Sequence, residues 1–470
     1  MIGKECCGLA ELLSENKALT WIERDREHMW HHMQPFASSQ NPMIVARAER
    51  ATLYDVEGNA YLDAMSGLWC MNLGYSERAL ADAAYEQMVT MPYYPLSQSH
   101  LKAIEISEKI SDWLGGKHHI FLSNSGTEAN ETALKIARQY HALRGEGTRY
   151  KVISRYRAYH GNAGSALAAT GQSIRKQNYE PLTPGFLHVP PPYCYRCPFG
   201  QKEDSCQLEC ASYYDQVMTW EGSDTVAAVI LEPVITGGGV LVPKPGYLEK
   251  VREICDKHGV LMIVDEVICG FYRSGERFGH QNFHVKPDIV TMAKGITSGY
   301  LPLAATAVRD EIFNVFKGQG EFTHLRHLNT FGGNPSACAV AAKTLELMEE
   351  RQIGTRVRAL MERMNERLER LRDVPLVGDV RSFGFLAGVE LVSNRADKTP
   401  LDPTVMGRVL AHCKQRGVIV GRNGDTVPEG NNVLTLSPPF IVTDEELDRI
   451  FDAIESALHT VADEYREWAF

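Results

Sequence analysis

Val260–Gly270, with the sequence VLMIVDEVICG, is the stretch that decides the fold. Its five leading apolar residues run directly into two acids, Asp265 and Glu266. A strand that is buried on both faces has no use for a carboxylate in its interior, whereas the carboxyl end of such a strand is where open α/β sheets bind ligands. The stretch therefore predicts a buried strand of a mainly parallel sheet, with an acid at the ligand-binding edge.

The sequence on both sides of this stretch repeats a strand–helix–strand order. Immediately before it, Tyr247–His258 has apolar residues at helical spacing, and Gly259 follows as a helix stop signal. Other short apolar runs have the length of strands, namely His119–Leu122, Lys151–Ser154, Val226–Glu232 and Ile289–Ala293. This alternation predicts an α/β fold in which right-handed crossovers produce a mainly parallel sheet flanked by helices.

The two ends of the chain have a different character. From Ala337 onward, long amphipathic helices are followed by short strands and by a final helix over Asp444–Glu467, which predicts a smaller α+β domain. Near the other end, the alternation within ATLYDVEGNAYLDA (51–64) predicts a β-hairpin. We expect a large domain over residues 79–336, with a cysteine-rich loop at about 190–212. A small domain would consist of residues 337–470, joined by residues 1–78.

Composition and charge exclude several classes of protein. The 470 residues are 44% apolar and 23% charged, which supplies a sizeable core and argues against wholesale disorder. The 49 basic and 59 acidic residues give a net charge of −10, which argues against a general binder of nucleic acid or anionic membranes. The first residues lack a secretory signal pattern, and no apolar run approaches the roughly 18 residues that span a bilayer. A cytoplasmic location with reduced thiols is therefore expected for the eleven cysteines.

Asp265 and Lys294 are the two charges that could build a site. Asp265, with Glu266, has three interpretations: a magnesium site of a nucleotidase, a solvated turn, or a carboxylate that pairs with a cationic group of a ligand. Lys294 follows the apolar run Ile289–Ala293 and precedes Gly295. Most lysines lie at the surface. A lysine at the inner end of a buried strand, however, is costly unless it is paired or used covalently.

A third feature is a turn that suits a phosphate. A predicted strand ends at Leu122, Ser123–Thr127 forms a polar turn, and a helical pattern follows. The free N–H groups of the first helical turn and the hydroxyls of Ser125 and Thr127 would form an anion site. The sequence contains neither a GxxxxGK[ST] loop nor a GxGxxG that opens a helix, so a P-loop nucleotide and a Rossmann dinucleotide are not predicted. A phosphate, an acid for a ring cation and a lysine amine for an aldehyde are the three groups that pyridoxal phosphate requires.

Several further segments, in this order, carry a family resemblance. They are SNSGTEANETALKIAR, RYRAYHG, LEPV, IVDEVICGF, MAKGITSGYLPL, NTFGGNP and GRNGD. Together they resemble the class III pyridoxal-phosphate aminotransferases of fold type I, over a span from about Trp30 to near the C-terminus. MSGLWCMNLGY and VGRNGDTV are most similar to the branch of ω-amino acid:pyruvate and taurine:pyruvate enzymes. The resemblance implies a large sheet domain, a smaller α+β domain and pyridoxal 5′-phosphate as the cofactor.

The resemblance also implies a role for each matching residue around the cofactor. Lys294 would bond covalently to the cofactor and shuttle a proton, and Asp265 would keep the pyridine nitrogen protonated. The other implied cofactor-binding residues are Ser125, Gly126 and Thr127 at the phosphate, Tyr159 and Val267 on the two ring faces, and His160 and Glu232 nearby. Thr330, in NTFGGNP, would reach the cofactor phosphate of the neighbouring subunit. The resemblance thus implies a homodimer, or a tetramer that contains such dimers.

For the substrate, the resemblance implies that Arg422 grips the α-carboxylate of pyruvate or alanine and that Leu68 and Trp69 form a pocket wall. The expected reaction transfers an amino group from an ω-amino donor, such as taurine or β-alanine, to pyruvate. Alternatives within the family use 2-oxoglutarate, a diamine, 4-aminobutyrate, or adenosylmethionine with 8-amino-7-oxononanoate. A decarboxylase, racemase or aminomutase is a further hypothesis, and so is a non-catalytic metal-binding or regulatory protein of the same fold.

Four cysteines, Cys194, Cys197, Cys206 and Cys210, lie within seventeen residues. Their spacing, C-x₂-C-x₈-C-x₃-C, is compatible with a structural zinc site but is not that of a standard zinc ribbon. We expect free thiols, keep structural zinc as the alternative, and expect no metal in the transamination chemistry.

Overall fold

A computed structural model describes residues 15–424, 426–428 and 430–468, and it shows a mixed α/β fold. Within these residues the strands are β1 Val45–Glu49, β2 Thr52–Asp55, β3 Ala60–Asp63, β4 His118–Ser123, β5 Lys151–Arg155, β6 Phe186–Val189, β7 Val226–Leu231, β8 Leu261–Asp265, β9 Ile289–Met292, β10 Ala304–Arg309, β11 Val377–Ser382, β12 Ala387–Asn394, β13 Thr399–Pro400, β14 Val418–Ile419, β15 Gly421–Arg422 and β16 Val433–Leu436. The α-helices are α1 Glu15–His28, α2 Ser66–Trp69, α3 Arg78–Thr90, α4 Leu101–Trp113, α5 Gly126–Leu143, α6 Gly164–Ala169, α7 Glu209–Glu221, α8 Tyr247–His258, α9 Asp310–Val315, α10 Pro335–Glu350, α11 Ile353–Leu371, α12 Pro403–Gln415 and α13 Asp444–Trp468. The predicted α/β fold is confirmed.

The largest sheet is mainly parallel, as predicted. Its strands lie in the order β4-β10-β9-β8-β7-β5-β6, and β10 alone runs antiparallel to its neighbours. A parallel return from β9 would need a crossover of about a dozen residues or more, usually a helix. The connection 293–303 contains only a 3₁₀ turn, so the chain reverses direction. Strand β10 was not predicted from the sequence.

Helices cover both faces of this sheet. Every residue of β7 and β8 is buried. On one face Val229 and Leu231 pack with α8, and on the other Ala228 and Ile230 pack with α5. Burial of each valine, leucine or isoleucine side chain among them contributes about 1.5–3 kcal/mol. The α8 helix spans the predicted residues and ends at Gly259, whose φ of 64° is the left-handed conformation that a glycine stop requires.

Two smaller sheets combine strands from distant parts of the chain. The predicted hairpin forms as β2 and β3, and β14 pairs parallel with β3 in the order β1-β2-β3-β14. The other sheet has the order β11-β12-β16-β15, with β13 beside β12. The β3–β14 pairing is what a small domain built from both chain ends needs, although the boundaries at residues 78 and 336 stay predictions. None of the described helices is both long and apolar enough to cross a membrane.

Candidate active site

A cavity of about 560 Å³ lies where β4, β5, β7, β8 and β9 end. The predicted site residues that line it are Leu68, Trp69, Ser125, Gly126, Thr127, Tyr159, His160, Glu232, Asp265, Val267 and Lys294. Since the carboxyl ends of parallel strands meet at one edge of a sheet, residues from distant parts of the chain converge there. The structure thus brings together all the predicted site residues except Thr330, Arg422 and the cysteines.

Asp265 is a buried carboxylate with three donors around it. Asn130 donates to its Oδ2 over 2.8 Å, His160 donates from Nδ1 to the same oxygen over 2.9 Å, and the Val267 N–H donates to Oδ1 over 3.0 Å. Only 3% of Asp265 is exposed. These hydrogen bonds stabilise the negative charge and fix the orientation of the carboxylate.

Asn130 is a candidate site residue that was not predicted from the sequence. Besides Asp265, its amide donates to the His160 carbonyl over 2.7 Å and accepts from the Thr291 hydroxyl over 2.7 Å. It lies in α5 and is 1% exposed. Its position on the apolar stripe of the helix, one turn before Ala133 and Leu134, was the available signal, because a buried amide needs partners.

The imidazole of His160 is held behind the carboxylate. Because Nδ1 donates to Asp265, this nitrogen carries the proton, and Nε2 is buried without a hydrogen-bond partner among the described residues. The backbone N–H of His160 donates to the Thr170 hydroxyl over 3.0 Å. This arrangement directs the only Nδ1 proton at Asp265 and makes His160 a support for that carboxylate.

Lys294 follows β9, on the strand next to Asp265. The register pairs Asp265 with Thr291, three residues before the lysine. Lys294 begins a 3₁₀ turn with a φ of 45°, a left-handed conformation that costs a non-glycine residue about 1–3 kcal/mol. Burial lowers the pKa of the Lys294 amine, and the Asp265 carboxylate offsets this effect only in part. The Lys294 amine therefore loses its proton more readily than the amine of an ordinary lysine.

The predicted phosphate turn begins helix α5. Ser125 is the N-cap residue, and its Oγ accepts from the Glu128 N–H over 3.2 Å. The Thr127 hydroxyl lies 3.3 Å from Oδ1 of Asn162. A Cβ on Gly126 would lie 3.0 Å from the Val267 side chain, so glycine allows the turn to approach that valine. The first N–H groups of this 18-residue helix have no intrahelical acceptor, which suits an anion.

Tyr159 and Glu232 form another wall of the cavity. Glu232 accepts from both the N–H and the hydroxyl of Thr236, over 3.1 and 2.8 Å. Burial raises the pKa of the Glu232 carboxyl, and the His160 ring partly offsets the rise. Burial likewise raises the pKa of the Tyr159 hydroxyl, while Arg175, whose guanidinium lies 4.9 Å from the ring centroid, opposes that rise.

Arg422 and Thr330 lie outside this cavity. Arg422 is exposed on β15, and its predicted grip on an α-carboxylate stays a prediction. Thr330 is also exposed and lines a separate cavity of about 1110 Å³, where its carbonyl accepts from the Tyr93 hydroxyl over 2.9 Å. An exposed position is what contact with a neighbouring subunit would require.

The four clustered cysteines do not form a metal site in the part of the chain that the structure describes. In that part, no group of three or more His, Cys, Asp or Glu side chains is placed to hold a metal ion. Cys194 is exposed and the other three are half-buried. Burial raises the pKa of the Cys210 thiol to about 12, so without a metal this thiol is neutral. The described residues thus offer no cluster in favour of zinc, and both free thiols and the zinc alternative stay predictions.

The side chains of the cavity fit pyridoxal 5′-phosphate. Lys294 has no hydrogen bond or ion pair with any described residue, so its amine is available to an aldehyde. Asp265 is a buried carboxylate suited to a protonated ring nitrogen. The helix start at Gly126 offers N–H and hydroxyl donors to a phosphate.

Comparisons with known proteins agree with this fit. The family model described as Aminotransferase class-III matches residues 34–458. YhxA of Bacillus subtilis (strain 168), an uncharacterized aminotransferase, is 52% identical over 96% of this chain and 99% of its own length. The taurine–pyruvate aminotransferase of Bilophila wadsworthia is 39% identical over 94% of this chain and 98% of its own length. A crystal structure of a Bacillus anthracis aminotransferase is 49% identical, covers 95% of this chain and 99% of that one, and superposes with a TM-score of 0.92.

The family model matches most of the chain, and these relatives align over nearly their whole length. The resemblance found in the sequence motifs is thereby confirmed. The chain belongs to the class III aminotransferases, transferases of fold type I that depend on pyridoxal 5′-phosphate.

Proposed function

We propose that this aminotransferase transfers the amino group of an ω-amino donor, such as taurine, β-alanine or a similar primary amine, to pyruvate. The observation that carries the proposal is one cavity lined by Lys294, Asp265, the Ser125–Thr127 turn and Trp69. The relative from Bilophila wadsworthia, named a taurine–pyruvate aminotransferase, supports this donor and acceptor at 39% identity. The products would be alanine and an aldehyde or ketone.

In this proposal the charge and position of each side chain determine its role. The chemistry that the bound cofactor supplies is withdrawal of electrons from the carbon that bears the amino group. Lys294 acts as the base, because its lowered pKa favours the neutral amine that accepts a proton from that carbon. Asp265, held by Asn130 and His160, would pair with the protonated ring nitrogen of the cofactor.

The remaining cavity residues would position the cofactor and the substrate. Ser125, Gly126 and Thr127 would hold the phosphate, and Tyr159 and Val267 would lie against the two faces of the ring. His160 and Glu232 are buried beside them, and His160 would support Asp265 through its hydrogen bond. Leu68 and Trp69 form a wall of the substrate pocket.

We further propose that the enzyme acts as a homodimer, either alone or within a tetramer, in the cytoplasm. Thr330 would contribute to the phosphate site of the partner. The exposed apolar side chains of Leu328 and Phe331 flank it, and they are 68% and 63% exposed. Single exposed apolar residues are normal, but two beside a predicted intersubunit residue favour an interface there.

A donor panel with pyruvate tests the proposal. Taurine, β-alanine, putrescine, 4-aminobutyrate and an aryl amine would be compared by alanine formation, and the Lys294→Ala variant would control for background. We expect taurine or β-alanine to be used and pyruvate to outperform 2-oxoglutarate. A strong preference for 2-oxoglutarate, or activity with diamines alone, would instead select one of the alternatives within the family.

A further inference from the structure

Arg175 is a cationic side chain that lines the cavity and has no role in the scheme above. Among the described residues that line the cavity, the basic side chains are Lys294, His160 and Arg175. Lys294 is the proposed base, and the protonated ring nitrogen of His160 is used by Asp265. Arg175 is thus the guanidinium that remains for an anion within this cavity.

A chain of hydrogen bonds through Gln172 fixes the position of the Arg175 guanidinium. Its Nε donates to the Gln172 side-chain oxygen over 2.6 Å, and the Gln172 amide donates to the Arg157 carbonyl over 3.0 Å. Gln172 is 1% exposed, so the support is itself buried. The guanidinium also lies 4.9 Å from the centroid of the Tyr159 ring, within the range of a cation–π contact.

These contacts leave most donors of Arg175 without a strong acceptor. Nη1 makes one weak contact, 3.6 Å from the sulfur of Met33, and Nη2 donates to none of the described residues. None of the described carboxylates lies within ion-pairing distance of this side chain. A planar guanidinium with a free Nη end is suited to two oxygens of a carboxylate or a sulfonate.

We infer that Arg175 binds the acidic group of the amine donor, so that the enzyme selects ω-amino acids and ω-amino sulfonates over neutral amines. The inference rests on the proposed function, because it names the substrate class of the same cavity. It assigns the donor's distal acid to Arg175, which lines the cavity, whereas Arg422 lies outside it. Two rival ligands for Arg175 are the cofactor phosphate and the carboxylate of pyruvate.

The test compares acidic donors with a neutral donor of equal length. The holoenzyme and its Arg175→Gln and Arg175→Lys variants would be assayed with taurine, with β-alanine and with β-alaninamide, each with pyruvate. Since a charge-assisted hydrogen bond is removed, kcat/KM for the two acidic donors should fall about 10- to 100-fold in Arg175→Gln. It should stay within about twofold for β-alaninamide, and Arg175→Lys should recover part of the loss because it keeps the charge but not the fork.

Arg144→Gln is the matched control. The Arg144 guanidinium also lies over a tyrosine ring, 5.3 Å from the Tyr140 centroid, but it is exposed and outside the cavity. All three donors should react with this variant as with the wild type. Equal losses for the acidic and neutral donors in Arg175→Gln, or weaker cofactor binding, would overturn the inference in favour of the cofactor phosphate. An unchanged kcat/KM for the acidic donors, or a loss of rate confined to the pyruvate half-reaction, would overturn the inference as well.

A binding experiment separates this inference from the proposed function. Propane-1-sulfonate has the acidic group but no amine, and its dissociation constant with the holoenzyme can be measured by calorimetry. We expect Arg175→Gln to weaken its binding about tenfold or more, and equal affinity would refute the inference. If the wild type made no alanine from any ω-amino donor, the proposed function would fail, while this titration would still decide the role of Arg175.

Discussion

Replacement of Asn130 by alanine tests the support of the buried carboxylate. The substitution removes one hydrogen bond to Asp265, one to the His160 carbonyl and one from the Thr291 hydroxyl. A hydrogen bond to a charged group contributes about 1.5–3 kcal/mol, and each neutral one about 0.5–1.5 kcal/mol. We therefore expect Asn130→Ala to lower the free energy of unfolding of the holoenzyme by about 3–5 kcal/mol. Its kcat should fall as well, because Asp265 loses a donor that stabilises its negative charge.

Urea unfolding of the holoenzyme, followed by circular dichroism, measures the first effect, and alanine formation measures the second. Asn365→Ala is a suitable control, since Asn365 is an exposed helical asparagine that accepts a single hydrogen bond from Ser382. We expect this control to lose less than about 1 kcal/mol. A loss below about 1 kcal/mol in Asn130→Ala, with kcat unchanged, would refute the view that Asn130 holds the carboxylate.

Three further predictions follow from other charges and surfaces. In the apoenzyme, Lys294→Met should have a higher free energy of unfolding in urea than the wild type near pH 7, because burial lowers the folded-state pKa of Lys294. The difference in unfolding free energy should narrow as the pH rises from that pKa towards the unfolded value of about 10.4. A difference that is independent of pH would contradict the burial argument. Burial alone would raise the pKa of Glu390, but Arg381, with Tyr193 and Arg196, lowers it. Glu390→Gln should therefore lower the free energy of unfolding by about 3–5 kcal/mol at pH 7. This loss of stability relative to the wild type should shrink as the pH falls through the lowered folded-state pKa. In sedimentation experiments, Phe331→Asp should shift the protein towards the monomer, and its activity should fall. Trp220→Asp, at a similarly exposed apolar residue, should leave the assembly intact. A dimeric Phe331→Asp enzyme would count against the proposed interface.

Much of the fold follows from local patterns in the sequence. The apolar runs that became β5, β7 and β8 are too short for helices and end in polar residues, and the α8 helix carries both its apolar stripe and its glycine stop. The antiparallel strand β10 could not be predicted from such patterns. Its composition, AATAVR, resembles that of any buried segment, and its direction depends on the absence of a crossover helix in the preceding connection.

The site was predictable where chemistry forces an unusual residue into an apolar context. Asp265 and Lys294 each interrupt such a context, so sequence alone singled them out. Gln172 and Arg175 carry no such mark, because polar residues in and after a helix are usually solvated. Asn130 carries only a weaker one, its position on the apolar stripe of α5. Their relevance depends on distances across the chain, such as the contact between Asn130 and Asp265, which are 135 positions apart. Local patterns do not contain those distances.

The register of β8 against β9 determines whether the two charges can act together. Asp265 is paired with Thr291, and Thr291 in turn donates to the Asn130 amide that holds Asp265. A shift of one residue would turn the carboxylate to the opposite face of the sheet, away from Asn130 and His160. The same shift would move Lys294, which follows β9, by one residue relative to Asp265 at the end of β8. The hydrogen bond between Thr291 and Asn130 therefore links the register of two buried strands to the position of the Asp265 carboxylate. A substitution at Thr291 should affect activity although the residue does not line the cavity.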